Sequence, residues 1–188
     1  MRAFRFISAV LCAAAVVCAP AGAGVSGGAG AITAGGKVGP LQIDKSNRAA
    51  VVAFAGKPDA EVQSITYGLS KYDALGYGCS STSANDNFTL ANDGPYCQTA
   101  FFIDTAHKSL EDFITTSSSY HMTNGIHIGT TVSAAQRALH TRADRSCLVV
   151  LKVDGQKALL RINFTGGKAD TFVLHSTQRT AGLFNCTA

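Results

Sequence analysis

The sequence predicts an α+β protein built from two tandem helix-plus-antiparallel-sheet units and stapled by disulfides. Three observations predict it. A short helical phrase with its own start and stop signals occurs twice with the same internal spacing. Strand-length apolar runs separated by turn residues follow each occurrence. Four cysteines, Cys79, Cys97, Cys147 and Cys186, lie beyond an amino-terminal segment of export type.

That segment opens with Arg2 and Arg5 ahead of an apolar run from Phe6 to Val17. The run is too short for a bilayer, which needs roughly 20 residues. Ala19-Pro20-Ala21 and Ala21-Gly22-Ala23 both match the small-x-small cleavage pattern. Residues 1–23 are read as a signal peptide, cleaved after Ala21 or Ala23. Lipidation at Cys18 is the alternative, but Val17 stands where a small residue is expected. No later stretch is long and apolar enough to cross a membrane, so the mature chain is expected to have no span. Residues 24–37, rich in Gly and Ala, are read as a flexible leader, with order beginning near Val38.

The first unit is assigned to 38–117. Val38 to Ile43 is an extended lead-in. Ser46 is placed to accept a hydrogen bond from a free N–H of the first helical turn. Ala50, Val51 and Phe54 recur at helical spacing. Gly56 and Pro58 then close the helix. Strand-like runs follow at Thr99–Asp104 and Leu110–Thr115, with a turn between them.

The second unit is assigned to 120–188, after the joint Ser117-Ser118-Ser119. Ile128 leads in, Thr131 or Ser133 caps, and Ala135, Ala138 and Leu139 form the apolar face. A shift of 85 residues superposes Ile43 on Ile128, Ala50 on Ala135 and Phe54 on Leu139. Runs at Leu148–Val153, Ala158–Phe164 and Thr171–His175 follow. They are separated by Asp154-Gly155 and Gly166-Gly167, which are strong hairpin signals. Each unit alone has too few apolar residues for a robust core, so the two are expected to pack together.

Removing Arg2 and Arg5 takes the 16 basic residues to 14, against 12 acidic ones, so the mature chain is near +2. The basic residues are scattered, which excludes nucleic acid as an expected partner. An even number of cysteines in an exported chain reads as a disulfide framework. Four allow three pairings. Cys79–Cys97 with Cys147–Cys186 is favoured because it puts one bridge in each unit. The four are too far apart in sequence for a zinc site, and no metal or cofactor is expected.

No G-x-S-x-G elbow or H-E-x-x-H motif is present. His121 and His127 are six apart, which matches no recognised ligand spacing in sequence. All five histidines, His107, His121, His127, His140 and His175, read as solvated or locally hydrogen-bonded. Glu111-Asp112 are neighbours that would point to opposite faces of a strand. Asp86 and Asp93 lack the fixed offsets of a calcium loop. The candidate binding residues are aromatic: Tyr72, Tyr77 and Tyr96 flank the first cysteine pair, and Phe101 lies on the following strand. Such rings are favoured anchors of protein interfaces; filling the core is the other role open to them.

The phrase Ile43-Asp44-Lys45-Ser46 through Phe54-Ala55-Gly56-Lys57-Pro58 resembles small exported bacterial domains, namely outer-membrane assembly lipoproteins of the small-protein-A type and the β-lactamase inhibitor protein fold. Ile128-Gly129-Thr130-Thr131 through Ala138-Leu139 looks like the same signature without its closing Gly and Pro. The whole chain resembles uncharacterised secreted proteins of actinobacterial type, through Val38-Gly39-Pro40-Leu41 and Gly76-Tyr77-Gly78-Cys79. The resemblance implies tandem helix-plus-sheet repeats and no particular activity. The expected function is that of a secreted, non-catalytic protein binding an extracellular protein or an envelope component. A small secreted hydrolase is the alternative.

Non-reducing peptide mapping of the exported protein is expected to pair Cys79 with Cys97 and Cys147 with Cys186. Amino-terminal sequencing is expected to begin at Gly22 or Gly24. Either alternative cysteine pairing would refute the framework.

Overall fold

The computed structural model describes residues 30–33, 35–67, 70–79, 97–140, 149–152 and 158–176. Its elements in chain order are β1 (Gly30–Thr33), β2 (Lys37–Val38), β3 (Leu41–Gln42), α1 (Arg48–Ala55), β4 (Ala60–Tyr67), β5 (Ser70–Cys79), β6 (Cys97–Asp104), β7 (Leu110–Thr115), β8 (Tyr120–Met122), α2 (Val132–Leu139), β9 (Val149–Lys152), β10 (Ala158–Thr165) and β11 (Lys168–Ser176). More than half of the described residues are strand, against two eight-residue helices.

The expectation of two tandem helix-plus-sheet units is corrected by the strand order. One seven-stranded sheet runs β4-β5-β6-β7-β11-β10-β9, antiparallel throughout. It contains strands from both halves of the sequence, joined where β7 pairs with β11 from Thr115↔Phe172 to Asp112↔His175. A second sheet, β3-β2-β1-β8, likewise mixes the halves, since β8 pairs in parallel with β1. The physical reason is that a strand edge leaves N–H and C=O groups unpaired. Pairing β7 with β11 satisfies both inner edges at once. β1 lies within the segment read as a leader, and Ile32 at its centre is fully buried.

Several local signals are realised as read. β7 spans the expected residues and follows a turn after Asp104. Gly166 and Gly167 both have positive φ, 59° and 78°, and join β10 to β11. Thr131 caps α2 by accepting from Ala134 N–H. The cap of α1 is different: Asn47 Oδ1 accepts from Ala50 N–H, while the Ser46 hydroxyl accepts from Gln42 N–H. β4 and β5 carry no clean alternation, because Gly76, Gly78 and several polar residues interrupt it, so the sequence pattern does not predict them as strands. The turn read at Asp154-Gly155 lies outside the described residues.

The main core lies on one face of the large sheet. Leu75, Tyr77, Phe101, Ile103, Phe113, Leu160, Ile162, Phe172 and Leu174 meet Ile32, Val38, Leu41, Tyr120, Met122 and Ile126 of the small sheet and its flanking turn. Val51 and Ala55 of α1 and Ala135 of α2 complete it. Rings stack edge-on or tilted through this layer: Tyr77 on Phe101, Phe101 on Phe113, and Phe113 on Tyr120. Gly39, at φ 55°, lies beneath Phe54, and a Cβ there would come within 2.8 Å of the ring.

Phe113 sits at the seam between the two halves of the large sheet. Phe113→Ala is expected to cost about 3–5 kcal/mol. Because the sheet is continuous, denaturant unfolding is expected to stay a single transition, with hydrogen exchange on β5 and β10 accelerated together. Separate transitions for the two halves would contradict the continuous sheet.

Candidate functional site

The charged groups that the fold gathers lie at the β6–β7–β11 seam. Phe102 pairs with both Ala74 and Asp112, and Asp112 pairs with His175. Val62, opposite Ala74, and Leu159, opposite His175, extend this row across six strands. Tyr72 and Asp104 pair in the next row. All of these lie on the face opposite the main core, where Tyr72, Ala74, Ala100 and Phe102 make a second buried cluster.

A β-bulge sets this arrangement. Phe102 pairs with Asp112 but Ile103 pairs with Leu110, leaving Glu111 as the extra residue. The irregularity lets Leu110 and Phe113 both enter the main core while Asp112 turns to the second face. Regular alternation would have put Leu110 and Asp112 on one side. Glu111 and Asp112 are both buried, at 1 % and 8 % exposure, Glu111 as the extra residue of the bulge.

His175 Nδ1 contacts Asp112 Oδ1. Burial lowers the imidazole from 6.5 to about 4, while the adjacent carboxylate pulls the other way. Of the two roles read for His175, solvated or locally hydrogen-bonded, exposure to water is the one that fails, because β11 carries it inside. Asp104, 3 % exposed, accepts through Oδ1 from Ala106 N–H and His107 N–H, and His107 Nδ1 lies 2.8 Å from the same oxygen. That ties the turn into β7. Burial also raises the Tyr72 phenol, with Glu111 and Asp104 adding to the effect. An aspartate against a histidine has the composition of a general-base unit. Here both members are enclosed in the sheet.

The aromatic binding candidates do not form one face. Tyr77 and Phe101 lie in the main core, and Tyr77 OH donates to Gly56 O at 3.1 Å. Tyr72 lies on the opposite side of the sheet, edge-on to Phe102. Each is at most 1 % exposed. The reason is strand periodicity: positions 72 and 77 differ by an odd number and so face opposite ways. Tyr96 lies outside the described residues. Cys79 and Cys97 are bonded, closing the β5–β6 pair at its end. Cys147 and Cys186 lie outside the described residues, as do Cys18, Asp86 and Asp93.

Two exposed histidines, by contrast, are brought together. His121 and His127 face each other in an antiparallel bridge. The signal that would have found them is Asn124-Gly125, a turn dipeptide lying between them.

No family model matches the sequence, and no curated protein matches it. Among solved structures, the chain is similar to the uncharacterized protein YfeY from Escherichia coli. The two are 14 % identical with a TM-score of 0.45, over 77 % of this chain and 99 % of that one. It is also similar to YjgB, a DUF4309 family protein from Bacillus subtilis subsp. subtilis str. 168. There the identity is 15 % and the TM-score 0.41, over 76 % of this chain and 89 % of that one. Neither likeness bears on activity.

Neutral His175 contributes stability in full above pH 6.5, and the contribution is lost as pH falls toward 4. The reason is that the unfolded chain takes up this proton first. The loss is expected to reach about 3 kcal/mol at most, Asp112 reducing it. Urea titrations across that range are expected to show the decline and to show it flattened in His175→Gln. Parallel profiles for the two proteins would refute a buried neutral imidazole.

Proposed function

We propose that this is an exported, non-catalytic protein that works by binding another protein or a component of the cell envelope. The observation that carries this reading is the placement of the groups suited to acid–base chemistry. Asp104, Glu111, Asp112 and His175 are 1–8 % exposed, and Asp112 and His175 are occupied with each other. A hydrolase needs such groups within reach of its substrate. Export is supported by the Cys79–Cys97 bond, since disulfides persist in oxidising compartments. No helix among the described residues is long and apolar enough to cross a membrane.

Binding is supported by α1. Every residue after Arg48 in this helix is apolar, with Ala49 and Ala53 exposed and Ala50, Val52 and Phe54 half-buried. Ala50, Val52 and Phe54 pack partly against the main core, and Ala49 and Ala53 leave the outer face without the polar residues that helices of globular proteins ordinarily turn to water.

A photo-cross-linking amino acid at Ala53 is expected to give a discrete adduct in the exporting cell or its medium, and one at Gln63 on β4 is not. The purified protein is expected to be inert toward ester, peptide and glycoside substrates. Hydrolysis abolished by His175→Gln would overturn the reading in favour of the hydrolase.

A further inference from the structure

We propose that His121 and His127 form a binding site for a divalent transition-metal ion, Cu2+ above Zn2+, with one imidazole from each arm of the 122–126 turn. Both side chains are exposed, and the two residues stand directly opposite each other in an antiparallel bridge. Just inside the pair, Met122 N–H donates to Ile126 O at 2.7 Å. That bond makes Met122–Ile126 the hydrogen-bonded position and His121–His127 the adjoining one. At such positions, Cα atoms approach to about 4.5 Å and side chains come closest. Two imidazoles rooted that close can share one ion.

The arms are held before any ion arrives. Met122 and Ile126 are buried at 3 % and 1 % exposure, one beside each histidine. Gly125, at φ 87°, makes the turn, and its N–H donates to Met122 O at 2.9 Å. His121 lies on β8, in register with Ala31 of β1. His127 N–H donates to Thr130 Oγ1, and Thr130 N–H donates back to His127 O. Preorganised ligands lose less conformational entropy on binding.

The second observation concerns protons. His127 Nδ1 lies 2.8 Å from Ile128 O. A carbonyl only accepts, so Nδ1 carries the hydrogen, and in the neutral ring the lone pair is left on Nε2. Metal-bound histidines characteristically donate their other ring N–H to a carbonyl or carboxylate, which fixes the tautomer. His127 already has that arrangement. Among the described residues, no group of three or more His, Cys, Asp or Glu is placed to hold a metal, so the two imidazoles are the ligands that the described residues supply, with water to complete the shell. Imidazole nitrogens suit copper, zinc and nickel, with copper bound most tightly for a given donor set.

The mature, disulfide-bonded protein, stripped of metal by chelator, is titrated with Cu2+ and with Zn2+. One tight Cu2+ equivalent is expected, with nitrogen hyperfine structure in its electron paramagnetic resonance spectrum. Zn2+ is expected to bind more weakly. His121→Ala and His127→Ala are each expected to weaken Cu2+ binding about tenfold or more, while His140→Ala leaves it unchanged. Both target positions are exposed, and circular dichroism verifies that the variants fold. Unchanged Cu2+ affinity in either variant, loss on His140→Ala instead, or no binding by the folded protein would overturn the site.

Discussion

The pairing of β7 with β11 is the constraint on which the rest of the structure depends. It fuses two antiparallel meanders into one seven-stranded sheet and gives each a neighbour along an edge that would otherwise expose its backbone. It also enlarges the apolar face. Leu75, Phe101 and Phe113 on one side of the seam become continuous with Leu160, Phe172 and Leu174 on the other. The small sheet and both helices then share a single core instead of two marginal ones.

The same seam accounts for the buried charges. A strand in the middle of a wide sheet has both faces enclosed once each face is covered, so its second set of side chains is removed from water whatever its polarity. Asp112 and His175 meet because they are register partners there. A buried carboxylate is costly unless it is hydrogen-bonded, and Asp112 has the neutral imidazole of His175 against it. The bulge at Glu111 is the adjustment that lets β7 send Leu110 and Phe113 to the core and still present Asp112 to His175. These groups are enclosed within the sheet, whereas Ala49 and Ala53 of α1 and the two histidines flanking the 122–126 turn are exposed.

Much of the local structure was legible. The run Leu110–Thr115, the Gly166-Gly167 turn and a start of α2 at Thr131 or Ser133, of which the structure uses Thr131, follow from periodicity and turn chemistry, which act between residues close in the chain. The aromatic candidates were not legible as a site. Alternation separates Tyr72 from Tyr77 at once, but whether either face meets water depends on what covers it. The histidine pairs were missed for related reasons. His121 and His127 match no ligand spacing along the chain because a turn folds them together, and Asp112 and His175 are sixty-three residues apart.

From the sequence by itself came the pairing of Cys79 with Cys97 and most of the strands of the second half, since each depends on local pattern or on short separation. Tertiary structure alone decided that the halves share one sheet, that β1 is an interior strand of the smaller sheet, and that the polar groups of the seam are enclosed. The physical reason is that strand edges are chemically alike. Any unpaired edge can accept any other, and the choice is made by which pairing buries the apolar faces of both partners together, a property of the assembled chain that no local window of residues contains.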